Sequence, residues 1–172
     1  MINMSSYKSI ELFEDKIKDG YDLIVVPCNY LMESMCITEL GMVFKNKSGL
    51  LSDIKIKHKD TNIIAKAIKK KYGALRNPMK DGDIRIVNIK DIDILFVKFP
   101  FRYDDKTYLK LIEVYRNLIN VIGCNEYNKV LMIGLRTFEH YGYSELELID
   151  EYNNLKKMIV NDHKDIEYNI ID

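Results

Sequence analysis

Asp22-Leu23-Ile24-Val25-Val26-Pro27-Cys28-Asn29 decides how this chain is read. Four aliphatic residues in a row leave no polar face, so the spacing predicts a strand over Tyr21 to Pro27 buried on both sides. Such a strand belongs in the middle of a sheet that has helices on both faces. Asp19-Gly20 in front of it is a turn signal, and Asn29 stands just past its carboxyl end.

Two further runs share that character. Val130 to Ile133 sits inside a strand predicted over Lys129 to Gly134. Ile92 to Phe99 is dense in Ile, Leu, Phe and Val, and Lys90-Asp91 joins it to a strand over Ile84 to Ile89. Amphipathic stretches lie between these runs. Ser6 to Lys18 reads as a helix with Ile10, Phe13 and Ile17 on one side, and Glu33 to Lys45 as a second. Thr61 to Leu75 aligns Ile64, Ile68, Tyr72 and Leu75. Lys106 to Ile122 aligns Leu109, Ile112, Tyr115, Leu118 and Ile119, and Gly123 is read as its stop. Ser144, with Glu147 three residues on, predicts a capping box opening a helix to Ile159. Ile166 to Ile171 closes the chain as a strand, and Asn46 to Asp60 reads as irregular. The order α-β-α-α-β-β-α-β-α-β predicts a three-layer α/β/α sandwich with a mixed, mostly parallel sheet. No linker or repeat divides residues 1–172, so one domain is expected.

Composition removes several functions. Lys+Arg and Asp+Glu are both 26, a net charge of zero, which argues against a nucleic-acid partner needing a broad basic field. The three cysteines, Cys28, Cys36 and Cys124, form neither a disulfide framework nor a C-x-x-C pair. They fit a reducing, cytoplasmic setting. Met1 to Lys18 lacks the pattern of a signal peptide, and no apolar run approaches the roughly 20 residues of a membrane span. No phosphate-loop, dinucleotide or zinc-peptidase motif is present, so neither a cofactor nor a metal is expected.

In sheets of this type ligands bind at the strand carboxyl ends. Three segments are expected there: Cys28 to Glu39, Phe99 to Asp104 and Leu135 to Tyr143. Asn29 carries donors and an acceptor that suit a sugar hydroxyl or a water, or it closes a turn or caps a helix. Arg136, Thr137, Phe138, Glu139, His140, Tyr141, Gly142 and Tyr143 form the richest polar loop. Its guanidinium suits a phosphate, and its rings suit a base. The same loop also reads as a surface turn with its aromatics folded onto the core. Glu139 and His140 are the one adjacent carboxylate–imidazole pair, a candidate acid–base couple with Asn29. His58 and His163, among lysines and aspartates, are read as solvated. Cys28 has no activating histidine near it in sequence.

The order of these residues resembles the macro domain family, in its phage-type branch. Asp22 to Asn29 is similar to the family's strand-then-Asn opening. Leu95 to Pro100 resembles its apolar strand ending in proline before a long helix. Lys129 to Gly134, then a loop, Gly142 and a helix, resemble its last phosphate-binding segment, and Asp165 to Ile171 its closing strand. The resemblance implies a site for ADP-ribose or a derivative, with Asn29 facing the distal ribose and Gly142 in the phosphate loop. Asp22 is the candidate for the adenine contact. Thr38 and Arg102 join the ligand-binding set by position. The family's glycine-rich loops are replaced here by Cys36 to Gly41 and by Arg136 to Tyr143. Side chains therefore stand where backbone amides would cradle a pyrophosphate. The expected function is binding of an ADP-ribose-like nucleotide, extending in a phage or mobile element to capture of a host immune signal. The alternatives are hydrolysis of an ADP-ribose derivative and a ligand-free interaction scaffold. Twelve tyrosines suit an interface or the core edges, so self-association is one reading of them.

Overall fold

A computed structural model of the chain describes residues 2–5, 10–11, 20–28, 54–55, 66–72, 79–89, 91–135 and 141–171. Eight strands are among them: β1 (Ile2–Ser5), β2 (Ile10–Glu11), β3 (Leu23–Cys28), β4 (Ile54–Lys55), β5 (Ile84–Ile89), β6 (Ile92–Lys98), β7 (Lys129–Ile133) and β8 (Glu167–Ile171). Residues 66–72 form helix α1. Asp105–Cys124 form α2 and Glu145–Asp162 form α3.

Six strands make one mixed sheet in the order β1-β8-β7-β3-β6-β5. All neighbours in it are parallel except β5 and β6, whose antiparallel hairpin turns at Asp91 (φ 67°). The central position of β3 follows from its sequence. Leu23, Ile24, Val25 and Val26 are all buried, and alternate residues of a strand face opposite sides. Both faces of β3 are therefore covered, as a sandwich of helices around a sheet requires. The aliphatic runs of β6 and β7 flank β3 on either side. The result is the three-layer α/β/α sandwich with a mostly parallel sheet that the alternation predicts.

Helices α2 and α3 pack against each other. The buried stripe of α2 is Leu111, Val114, Tyr115, Leu118, Ile119 and Ile122. Asp104 caps it by accepting from the Thr107 N–H at 2.9 Å. The capping box of α3 forms as read: Ser144 Oγ accepts from the Glu147 N–H, and Glu147 Oε2 accepts from the Ser144 N–H.

Several expectations are corrected. Ile10–Glu11 pairs in parallel with Ile54–Lys55, so the helix read through Ser6 to Lys18 does not hold at those residues, and a strand falls within the stretch read as irregular. Ile2–Ser5, unread in the sequence, adds an edge strand to the sheet. Gly123 does not stop α2, which continues through Cys124. The helix expected over Glu33 to Lys45 lies outside the described residues.

Two side chains fix the sheet at its margins. Asp22 receives the N–H groups of Asn128 at 2.7 Å and Lys129 at 3.0 Å, aligning the amino ends of β3 and β7. At the other margin the Tyr72 hydroxyl donates to the Ile86 carbonyl at 3.0 Å and accepts from the Ile86 N–H at 2.8 Å. One side chain thus occupies both backbone groups of an edge residue.

Candidate functional site

Strands β3, β6, β7 and β8 run parallel, so their carboxyl ends open on one edge. Cys28 ends β3 in register with Lys98 at the end of β6. Because β6 and β7 lie on opposite sides of β3, the connection between them crosses it. A crossing of this kind marks the place where α/β sheets hold ligands.

The segments that leave β6 and β7 are joined across this edge. The Arg102 N–H donates to the Tyr141 carbonyl at 2.8 Å, and the Tyr143 hydroxyl donates to the Pro100 carbonyl at 2.6 Å. The rings of Phe101 and Tyr141 stack at 4.9 Å between centroids, 17° from parallel. Gly142 makes the approach feasible. Its φ of +82° disfavours an L side chain, and a Cβ there would meet the Arg102 carbonyl at 3.4 Å.

Arg102 completes the clasp. Its Nε donates to Glu147 Oε1 at 3.0 Å, and its terminal nitrogen reaches Asp105 at 2.9 Å and Glu147 at 2.9 Å. The Glu147 carboxyl is held below its ordinary range by the Arg102 hydrogen bond and then by the Ser144 N–H. Arg102 is in turn raised, first by Glu147 and then by Asp105. The guanidinium thus ties the segment after β6 to the first turns of both helices.

Lys98 is only 4% exposed. Its ammonium donates to Asp81 at 2.8 Å and to the Phe99 carbonyl at 3.0 Å, and it lies 5.0 Å from the centre of the Phe101 ring. A charge this buried is tolerated because it is paired and hydrogen-bonded. It anchors the 79–83 turn beneath the clasp, where the Gly82 N–H donates to the Lys98 carbonyl. Burial raises the phenol of Tyr143, and it raises Tyr115 well above its ordinary value with the adjacent Glu151 adding to the effect. Both phenols remain protonated donors at neutral pH.

Of the residues expected to bind ligand, the structure brings Arg102, Tyr141, Gly142 and Tyr143 together. It does not bring Asp22 there: that residue lies at the amino end of β3, its carboxylate taken up by Asn128 and Lys129. Asn29, Thr38, Arg136, Thr137, Phe138, Glu139 and His140 lie outside the described residues. Asn29 follows Cys28 directly in the chain. Lys98 and Phe101 were not singled out from sequence, and Glu147 was read only as the partner of Ser144 in the capping box. A lysine closing a buried aliphatic strand was the available signal for Lys98. His163, read as solvated, is instead buried, and it lies at the opposite edge of the sheet. Among the described residues no three His, Cys, Asp or Glu side chains converge to hold a metal ion. Among them no helix is long and apolar enough to cross a membrane.

No protein-family model and no curated protein matches the chain. Solved structures do. The macrodomain of Oceanobacillus iheyensis with ADP superposes with a TM-score of 0.65 at 11% identity, over 98% of this chain and 80% of that one. The fold is that of a macrodomain. The macrodomain of Mycobacterium tuberculosis DarG superposes at 0.58 and 14% identity, covering 99% of this chain and 97% of that one. The Trypanosoma brucei macrodomain in complex with ADP-ribose gives 0.57 and 14% over 98% of this chain and 63% of that one. At such identities the likeness is one of fold, while most side chains differ.

Proposed function

We propose that this macrodomain-fold chain binds an ADP-ribose-like nucleotide at the carboxyl ends of β3, β6 and β7. The observation that carries the reading is the clasp across the end of β3, which joins Arg102 and Phe101 to Tyr141, Gly142 and Tyr143. It gives a preorganised rim at the strand ends from which the chain runs on to Asn29 and to residues 136–140, and preorganisation lowers the ordering cost of binding. Two of the similar structures hold ADP and ADP-ribose, which supports this ligand class. Arg102 serves here as a positioning residue, while Asn29, Thr38, Arg136, Thr137, Phe138 and His140 supply the contacts.

In this reading the nucleotide is held rather than transformed. Side chains of the 136–140 loop replace a glycine cradle and supply charge and stacking surface. The phage-type resemblance extends the reading to a protein of a phage or mobile element, acting in the host cytoplasm, that withdraws a nucleotide immune signal.

Calorimetric titration with ADP-ribose, ADP and AMP, with chromatography of the recovered nucleotide, tests the proposal. Binding of ADP-ribose with intact recovery is expected, and Asn29→Ala weakens it. No heat at millimolar ADP-ribose would end the binding reading. Conversion during the titration would replace capture by hydrolysis.

A further inference from the structure

At the edge opposite the clasp, the last turns of α2 and α3 enclose an open recess of about 550 Å³ with the connectors leading into β7 and β8. That volume lies within the range of small-molecule sites. Its charge is one-sided. Glu126, Asp162 and Asp165 face it against the single cation Lys164. Neither helix has a basic residue in its last turn, so two carbonyl-bearing negative helix ends add to the field.

His163 lines the recess and is 8% exposed. Its Nδ1 is 2.6 Å from the hydroxyl of the fully buried Tyr168. Its Nε2 has no hydrogen-bond partner among the described residues. The tautomer follows from Tyr168. Were Nδ1 the donor, the phenol proton would be left in the core without an acceptor, at a cost of about 1–3 kcal/mol. The phenol therefore donates to Nδ1, and Nε2 carries a hydrogen. Gly123 keeps that nitrogen uncovered, since a Cβ there would fall 2.6 Å from it. A glycine inside a helix costs about 1 kcal/mol relative to alanine, and α2 accepts it at this position.

We propose that this recess is a second ligand site, for a small organic cation that also bears an oxygen acceptor. The amine or guanidinium meets the carboxylates and helix ends, and its carbonyl or hydroxyl oxygen accepts from His163 Nε2–H. The organic class follows from the spacing: no three of the described His, Cys, Asp and Glu side chains converge closely enough for a metal ion. Nothing in this site depends on the nucleotide reading.

Titration of the whole chain with argininamide, followed by NMR of the His163 ring, tests it. The expected result is a saturable shift of the His163 Nε2 and Hε1 signals, absent with sodium chloride at matched ionic strength. Gly123→Ala, which covers Nε2, weakens binding by about tenfold, equivalent to about 1.4 kcal/mol. Should that variant fold poorly, the exposed pair Asp162→Asn and Asp165→Asn gives the same loss without touching the core. A ring unmoved across the millimolar range overturns the proposal. So does an equal shift with sodium chloride or with inorganic phosphate.

Discussion

Asp22 and Arg102 were both read as ligand contacts, and both are held by the protein. Asp22→Ala leaves two backbone N–H groups without their acceptor. A loss of about 1–3 kcal/mol in urea unfolding is expected, with ADP-ribose affinity unchanged because the residue lies at the far edge of the sheet. An affinity loss in a folded Asp22→Ala protein would contradict that placement. Glu147 carries a pH dependence. Its carboxyl is depressed below its usual 4.5, so its pairing contributes fully above that value and is lost as pH falls through the lower folded one. Acid-induced loosening of residues 99–104 and 141–144, followed by hydrogen exchange, should therefore diminish in Glu147→Gln, which starts partly loosened. His163 behaves analogously at higher pH. Burial lowers its imidazole from 6.5, so the unfolded chain takes up the proton first and stability falls as pH drops below that value. His163→Gln should flatten this part of the stability profile. The sequence did not show the partners of these residues, for a physical reason. Asp22 stands in front of β3 and therefore at its amino end, but that its carboxylate takes up the Asn128 and Lys129 N–H groups, 106 and 107 residues on, has no local signal. The acidic neighbours of His163 give no hint of its bond to Tyr168.

At the level of elements, legibility tracked burial. β3, β6 and β7 were readable because a strand covered on both faces is nearly all aliphatic. α2 was readable because Tyr115, Leu118 and Ile119 repeat at helical spacing, although Leu109, read into that stripe, is exposed and Leu111 and Val114 are buried instead. α3 was readable because Ser144 and Glu147 announce its capping box. β1, β2 and β4 were not, because segments of two to four residues are too short for periodicity to register, and their pairing is decided by partners far along the chain. The clasp was half legible. Gly142 and the aromatic residues drew attention to the loop, yet nothing local indicated that Arg102 would reach Glu147, 45 residues away. The capping box gives a direct check. Ser144→Ala should cost about 1 kcal/mol, and since Glu147 also holds Arg102, it should speed exchange of the 99–104 amides as well. An effect confined to α3 would mean that cap and clasp are independent.

For the molecule as a whole, the sheet order predicts a gradient of stability. β3 is paired with β6 over its whole length and with β7 over Leu23 to Val25, and its aliphatic run is buried on both faces, whereas β1 and β5 each have one neighbour within the sheet. Amides of β3, β6 and β7 should exchange only through global unfolding, and those of β1 through smaller openings. Phe96→Ala, a fully buried ring on β6, should cost about 3–5 kcal/mol. A bound nucleotide stabilises the folded chain by mass action, by about 2.7 kcal/mol at a hundredfold excess over Kd. Titrating ADP-ribose into Phe96→Ala should recover part of the lost melting temperature. No recovery in a folded variant would count against a preformed site.

The Tyr72 hydroxyl on Ile86 bears on how this sheet meets other chains. A naked strand edge is a template, and whatever arrives gains every bond it forms there. At Ile86 an incoming strand would first have to evict a donor and an acceptor already in place, so docking becomes an exchange rather than an addition. Tyr72 thus acts as a chain terminator for the β5 side, limiting growth of the sheet in that direction with a single atom of oxygen.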